Sequence, residues 1–262
     1  MRLGAFLFNM GRIADAEHEL SAAVGLAGEM GSHRDEARAT SMLGLYRFYL
    51  GDIDEAERIA VQALEWLERT CDSYLQVQNL RDLARYALAR GRPDEAEERL
   101  REALPLALEG GGWLVIETYR YLVEALVRQQ RLDDARELLA FAARSVPEED
   151  AYARAALAVA EAIVATGAGE ATTAATAFSE ALRLLEEQQL VIDLGETRVL
   201  LARALRSFGD AAGARTEFER SRALFAGMEA RTLVEEIDRE LAELSERAGS
   251  AGPLERSSKR GD

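Results

Sequence analysis

Small and large apolar residues alternate along this chain at helical spacing, and the same alternation returns every 39 or 40 residues. The stretch from Gly51 to Leu64, GDIDEAERIAVQAL, sets the pattern. With near-copies at Gly11, Gly91, Gln130, Gly169 and Gly209, successive starts lie 40, 40, 39, 39 and 40 residues apart. Five positions after each start stands an alanine: Ala16, Ala56, Ala96, Ala135, Ala174 or Ala214. Seven residues further on comes Ala23, Ala63, Ala103, Ala142, Ala181 or Ser221. Between the two sits Leu20, Ala60, Leu100, Leu139, Phe178 or Phe218. Offsets of four, three and seven put these residues on one helix face, where the small ones admit a neighbouring helix and the larger one fills the gap. A fixed period of this length predicts a solenoid, in which each unit buries its apolar face only against its neighbours.

About seven residues before a start, an apolar residue precedes a small one: Leu3 and Gly4, Leu43 and Gly44, Leu83 and Ala84, Leu201 and Ala202. These mark a first helix in each unit. Gly51 and Gly91 are expected to end it in the left-handed conformation, with Asp54 or Asp94 opening the second helix. In the fifth unit, Gly167 aligns with the end of the first helix and Gly169 with the start of the second, which predicts a looser turn. The run Gly110 to Gly112 lacks the Gly-Lys-Ser/Thr of a phosphate loop and falls where a second helix should stop.

The succession of apolar residue and Gly or Ala, turn Gly, Ala, Leu or aromatic, and Ala resembles the tetratricopeptide repeat over residues 1 to about 226. That resemblance implies an all-α fold, a right-handed α-solenoid of antiparallel helix pairs. The period exceeds the family's 34-residue form by five or six residues, as in Glu65 to Gln78. The aromatic usual early in the first helix is present only as Tyr119, and a helix-ending proline only as Pro105 and Pro147. These departures resemble the roughly 40-residue repeats of bacterial signalling ATPases and transcriptional regulators. Second helices are expected to start near 51, 91, 130, 169 and 209, within a repeat domain spanning 1–247. Leu233, Ile237, Leu241 and Leu244 predict a cap helix over 230–247, and 248–262 reads as a disordered tail. The first repeat is truncated, leaving Leu3, Phe6 and Leu7 short of a partner, so a further domain of the same polypeptide is expected upstream.

Charge narrows the partners. The chain is strongly acidic, with a formal net charge of −15, whereas phosphate binding draws on clustered cations, so nucleic acid is not expected as a ligand. All but one of the 32 basic residues are Arg, which beside abundant Ala reads as the composition of a GC-rich genome. The lone Cys71 excludes an internal disulfide framework and is expected to pack as a small residue at a unit junction. Nothing resembles a signal peptide or a membrane span, and the cytoplasm is the expected compartment.

Catalytic chemistry finds little footing. His18 and His33 cannot build a three-histidine metal site and read as surface residues. Nucleophile elbow, Walker motif and dinucleotide fingerprint are all missing from the sequence, so neither an enzyme nor a cofactor is expected.

In tetratricopeptide arrays the first helices line a concave groove, and the resemblance maps that groove onto Arg38, Phe48, Tyr49, Arg81, Arg85, Arg120, Glu124, Arg154 and Arg203 as candidate binding residues. Of 28 mapped positions eight are Arg and four Glu, a net positive wall in an acidic protein. Arginine's planar fork matches a carboxylate, which suits an acidic peptide or a free C-terminus. Alternatively, Arg81, Arg85 and Arg120 pair with Glu117, Glu124 and Glu161 and merely hold repeats in register. Tyr46, Phe48, Tyr49 and Phe8 either anchor an apolar peptide side chain or belong to the core. The function implied is a protein- or peptide-binding scaffold, the interaction or sensor arm of a larger regulatory protein.

Overall fold

The computed structural model describes Leu3, Leu7, Phe8 and residues 11–70, 72–144 and 149–250. Gly4, Phe6, Cys71, Pro147 and the tail beyond 250 lie outside the described residues. Twelve described helices follow one another without a strand among them. They are α1 (Ile13–Glu29), α2 (His33–Leu50), α3 (Ile53–Thr70), α4 (Ser73–Ala89), α5 (Pro93–Gly110) and α6 (Trp113–Arg128), then α7 (Leu132–Ala143), α8 (Ala151–Gly167), α9 (Ala171–Glu187), α10 (Val191–Ser207), α11 (Ala211–Gly227) and α12 (Arg231–Ser250). Even-numbered helices from α2 to α10 are the first helices of their units and odd-numbered ones the second. Each second helix starts two residues after the position expected for it, because the repeat's glycine sits in the turn. The architecture is an all-α solenoid.

The small residues do the work the pattern requires. Ala16, Ala56, Ala96, Ala135, Ala174 and Ala214 are all buried, as are Ala63, Ala103, Ala142, Ala181 and Ser221. At Gly44 a Cβ would stand 3.3 Å from the Ala56 carbonyl oxygen, so the crossing of α2 and α3 depends on its absence. Within each turn the glycine takes positive φ, +105° at Gly51 and +88° at Gly209, and the next amide returns to the helix behind it, as Asp52 N–H does to the Arg47 carbonyl. Where the repeat has Gln130 instead, the same conformation is held at φ 62°. Such turns are the left-handed helix stops that glycine favours.

Two expectations about these turns are corrected. Asp54 and Asp94 lie inside the first turns of α3 and α5, where carboxylates favour the helix dipole. The side chain that caps α3 is instead Asp52, which accepts from the Glu55 amide at 3.2 Å. The fifth unit's turn is not loosened. Gly169, at φ +76°, takes the place that Gly91 and Gly209 take elsewhere, and Gly167 is the last residue of α8, where a Cβ would lie 2.9 Å from Val127.

The array curls until its ends meet. The Thr232 hydroxyl, at the start of α12, donates to the Phe48 carbonyl at the end of α2. Arg231 covers Gly51, and Met228 packs over Gly11. One apolar cluster accordingly runs from Leu7 and Ile13 through Phe48 and Tyr86 to Phe225, Leu233 and Ile237. The small rotation between successive repeats, summed along the chain, thus brings the last helix onto the second. Leu7 and Ile13 are buried as part of that closure. Leu233, Ile237 and Leu244 of α12 are buried too, with Leu241 packed beside them.

Candidate binding site

Because the array closes, the even-numbered helices face an interior instead of an open groove. Their carboxy-terminal ends surround a cavity of about 500 Å³ bounded by Leu88, Val127, Ile163, Phe178, Leu200 and the charged Glu124, Arg128, Arg203 and Glu236. A narrower neighbouring space adds Phe48, Arg85, Arg120, Tyr121 and Glu196. The walls are apolar with a few convergent charges, the make-up of a ligand pocket.

Most charges here already have partners. Arg81 pairs with Glu117 from α6. The Tyr49 hydroxyl donates to Glu196 at 2.9 Å, and the Arg85 guanidinium donates to the hydroxyls of Tyr49 and Tyr121 and lies 3.5 Å from Glu196. Glu124 accepts from Arg128 at 2.6 Å, and Arg128 also reaches back to the Leu88 carbonyl at 2.8 Å, capping the end of α4. Arg203 is held by Glu236 and by Glu240 at 2.7 Å. Burial pushes the Glu124 carboxyl up, but Arg128, Arg120 and Arg203 together hold it below the usual carboxylate range.

Arg120 is the exception. It is 6% exposed, its guanidinium stacks over the Tyr121 ring at 4.3 Å, and its Nη1 has no hydrogen-bond partner. Glu196, Glu124 and Glu117 temper its charge from beyond ion-pair distance. A buried cation left without an acceptor is costly, and an arriving carboxylate would remove that cost.

The placements correct part of the mapped groove. Tyr49 is fully enclosed and Phe48 stacks on Tyr86 at 4.9 Å, so these two aromatics are core, although Phe48 also borders the narrower space. Arg154 is exposed on α8 and pairs with Glu180 of its own unit at 2.9 Å, away from the cavity. Arg38 lies near the opposite mouth, among Phe8, Tyr46 and Tyr74. Arg85, Arg120, Glu124 and Arg203 do come together, whereas Arg81 lines the space at the other mouth beside Asp82; the four are joined by residues the groove mapping did not single out: Tyr121, Glu236 and Glu240. For the last two a signal existed. Glu236, Glu240 and Glu243 recur at helical spacing, and the first two meet Arg203 while the last two meet Arg206. His18 is exposed, and His33, which opens α2, stacks on Trp66 at 4.9 Å. Among the described residues no group of three His, Cys, Asp or Glu side chains could hold a metal ion, and no helix is long and apolar enough to cross a membrane.

Comparison with known proteins agrees with this architecture. The tetratricopeptide repeat family model matches residues 35–109. Curated proteins give no match. Among solved structures, BtubC (BKLC) from P. vanneervenii superposes with a TM-score of 0.54 at 19% identity over 97% of each chain. Cut9 with Hcn1, from the APC/C hetero-tetramer, gives 0.61 at 16% identity over 94% of this chain and 42% of that one. A Rap protein complexed with competence and sporulation factor gives 0.61 at 14% identity over 94% of this chain and 74% of that one. At these identities the likeness is one of fold. With helix pairs of one kind along the described array and the family match confined to α2 to α5, the chain is similar to tetratricopeptide repeat proteins in fold and carries that repeat over residues 35–109.

Proposed function

We propose that this chain is a protein- or peptide-binding scaffold whose inner cavity, open to solvent, takes a segment with an acidic side chain or a free carboxylate. The observation that carries the reading is Arg120, a buried guanidinium in the narrower space that adjoins the cavity, with an orphan Nη1 while Glu124, Glu196 and Glu236 around it are already engaged. A volume of about 500 Å³ suits a few residues of an extended peptide and not a folded domain. The Rap neighbour was solved in complex with competence and sporulation factor, so a fold of this kind can serve a binding protein.

Within this reading the chain serves as the interaction arm of a larger regulatory protein. The meeting of α12 with α2 favours the sensor form of that role: a ligand that binds closed and open rings unequally shifts the balance between them and so switches an attached effector. Titration of the chain with short peptides ending in Asp or Glu tests the site. Arg120→Gln is expected to weaken binding roughly 10- to 100-fold, the loss of a charge-assisted hydrogen bond, and Arg154→Ala to leave it unchanged. Equal affinity in Arg120→Gln and the parent chain would refute the site.

A further inference from the structure

We propose that a second cavity, at the opposite mouth of the ring, binds an organic cation, an ammonium or guanidinium group, on the carboxylate of Asp82. This space of about 250 Å³ lies between the middle of α2 and the amino-terminal half of α4, and its walls include Phe8, Met42, Leu45, Tyr46 and Tyr74. Asp82 is 7% exposed, and among the described residues its carboxylate accepts no hydrogen bond and forms no ion pair. Two further acceptors in the neighbourhood are unmet: the Tyr86 hydroxyl, whose charge state Asp82 influences, and Oδ1 of Asn79, whose amide nitrogen is tied to Ser41 at 3.0 Å. Burial strips the Asp82 carboxylate of most of its solvent while the fold supplies it no donor, and a ligand that donates hydrogens from the cavity offsets that desolvation.

The chemistry of the walls selects the ligand. One carboxylate, with no cluster of three His, Cys, Asp or Glu around it, is too few ligands for a metal ion. Phe8 stacked on Tyr46 at 4.4 Å, with Tyr74 across the mouth, presents ring faces to a cation. Met42 and Leu45 offer surface to an aliphatic stem. The cations already nearby are either spoken for or at the rim: Arg81 is held by Glu117, Arg85 by Tyr49, Tyr121 and Glu196, and Arg38 is exposed at the mouth. A protein with a net charge of −15 also draws cations toward it. Neither this cavity nor its charge depends on the carboxylate reading of the Arg120 site.

Calorimetric titration of the full chain with spermidine, and separately with acetyl-Gly-Arg-Gly-amide, tests the proposal. At least one probe is expected to bind at pH 7.5, and Asp82→Asn is expected to weaken it tenfold or more. Binding should fall between pH 7.5 and pH 5, where the carboxyl, raised by burial to about 6, takes up its proton against Arg81 and Arg85 and with Glu117 and Glu196 nearby. Asp133→Asn removes an equal charge from a carboxylate with 99% of its side chain in solvent and should change nothing. Tyr74→Ala, at an exposed rim position, should weaken binding severalfold, and Tyr74→Phe, which keeps the ring face, should not. Binding of spermidine alone assigns a free amine, and binding of the peptide alone a basic segment. No heat from either probe at millimolar concentration, or the same isotherm for Asp82→Asn as for the parent, overturns the proposal.

Discussion

Asp82 and Arg120 carry opposite charges into the same interior, and each lacks a partner. Burial raises the Asp82 carboxyl to about 6 from 3.8, more than Arg81 and Arg85 lower it. The folded state therefore holds that proton more tightly than the unfolded chain does. Its unfavourable contribution is absent below the unfolded value, grows as pH rises between about 4 and 6, and is complete above that window. A rise of that size corresponds to at most ~3 kcal/mol. Asp82→Asn is thus expected to stabilise the chain by ~1 to 3 kcal/mol at pH 7.5 and not at pH 3.5, read from urea midpoints. An unchanged midpoint at pH 7.5 would show that solvent or a donor already satisfies the carboxylate. A residue that lowers stability where it stands is a reasonable place to look for binding. From sequence, Arg120 could be placed on the concave wall by its distance from the turn. That its Nη1 has no acceptor could not, because the acceptors come from residues far along the chain.

Helices repeat one local solution with small variations. Ala96 is fully buried where α5 meets its neighbours. Ala96→Leu adds three carbons to a close-packed contact and is expected to cost ~1 to 3 kcal/mol, seen as a lowered melting temperature. No change in melting would mean that this face of α5 is not the packed one. These contacts were legible in the sequence, since offsets of three, four and seven define a face whatever the helix packs against. The fifth turn was misjudged for an equally physical reason. Two glycines two residues apart look alike in sequence, but Gly167 serves a close approach to Val127 and only Gly169 needs positive φ. For α12, four apolar residues gave the packing stripe, while its glutamates belong to Arg203 and Arg206 of α10.

Closure changes how the whole molecule should behave. An open solenoid unfolds unit by unit, since each repeat touches only its neighbours. Here Thr232 and Leu233 tie the last helix to the second, so the terminal units support each other. Thr232→Val removes one of two bonds to the Phe48 carbonyl, which keeps the Gly51 amide as a donor, a loss of ~0.5 to 1.5 kcal/mol. Combined with Leu233→Ala, it should quicken amide exchange in α1, α2 and α12 while α6 and α8 keep their protection. Uniform acceleration along the array would mean that the ends are not separately latched.

The sequence by itself determined the unit: two helices, a left-handed stop between them, an alanine-notched face and six recurrences of it. Those features are local, fixed by chain geometry within a few turns of helix. What only the tertiary structure decided is the curvature. Small rotations between units add up over the array, and that sum put Tyr49 beside Glu196, buried Phe48, turned the arginine wall inward and left Arg120 and Asp82 facing cavities without partners.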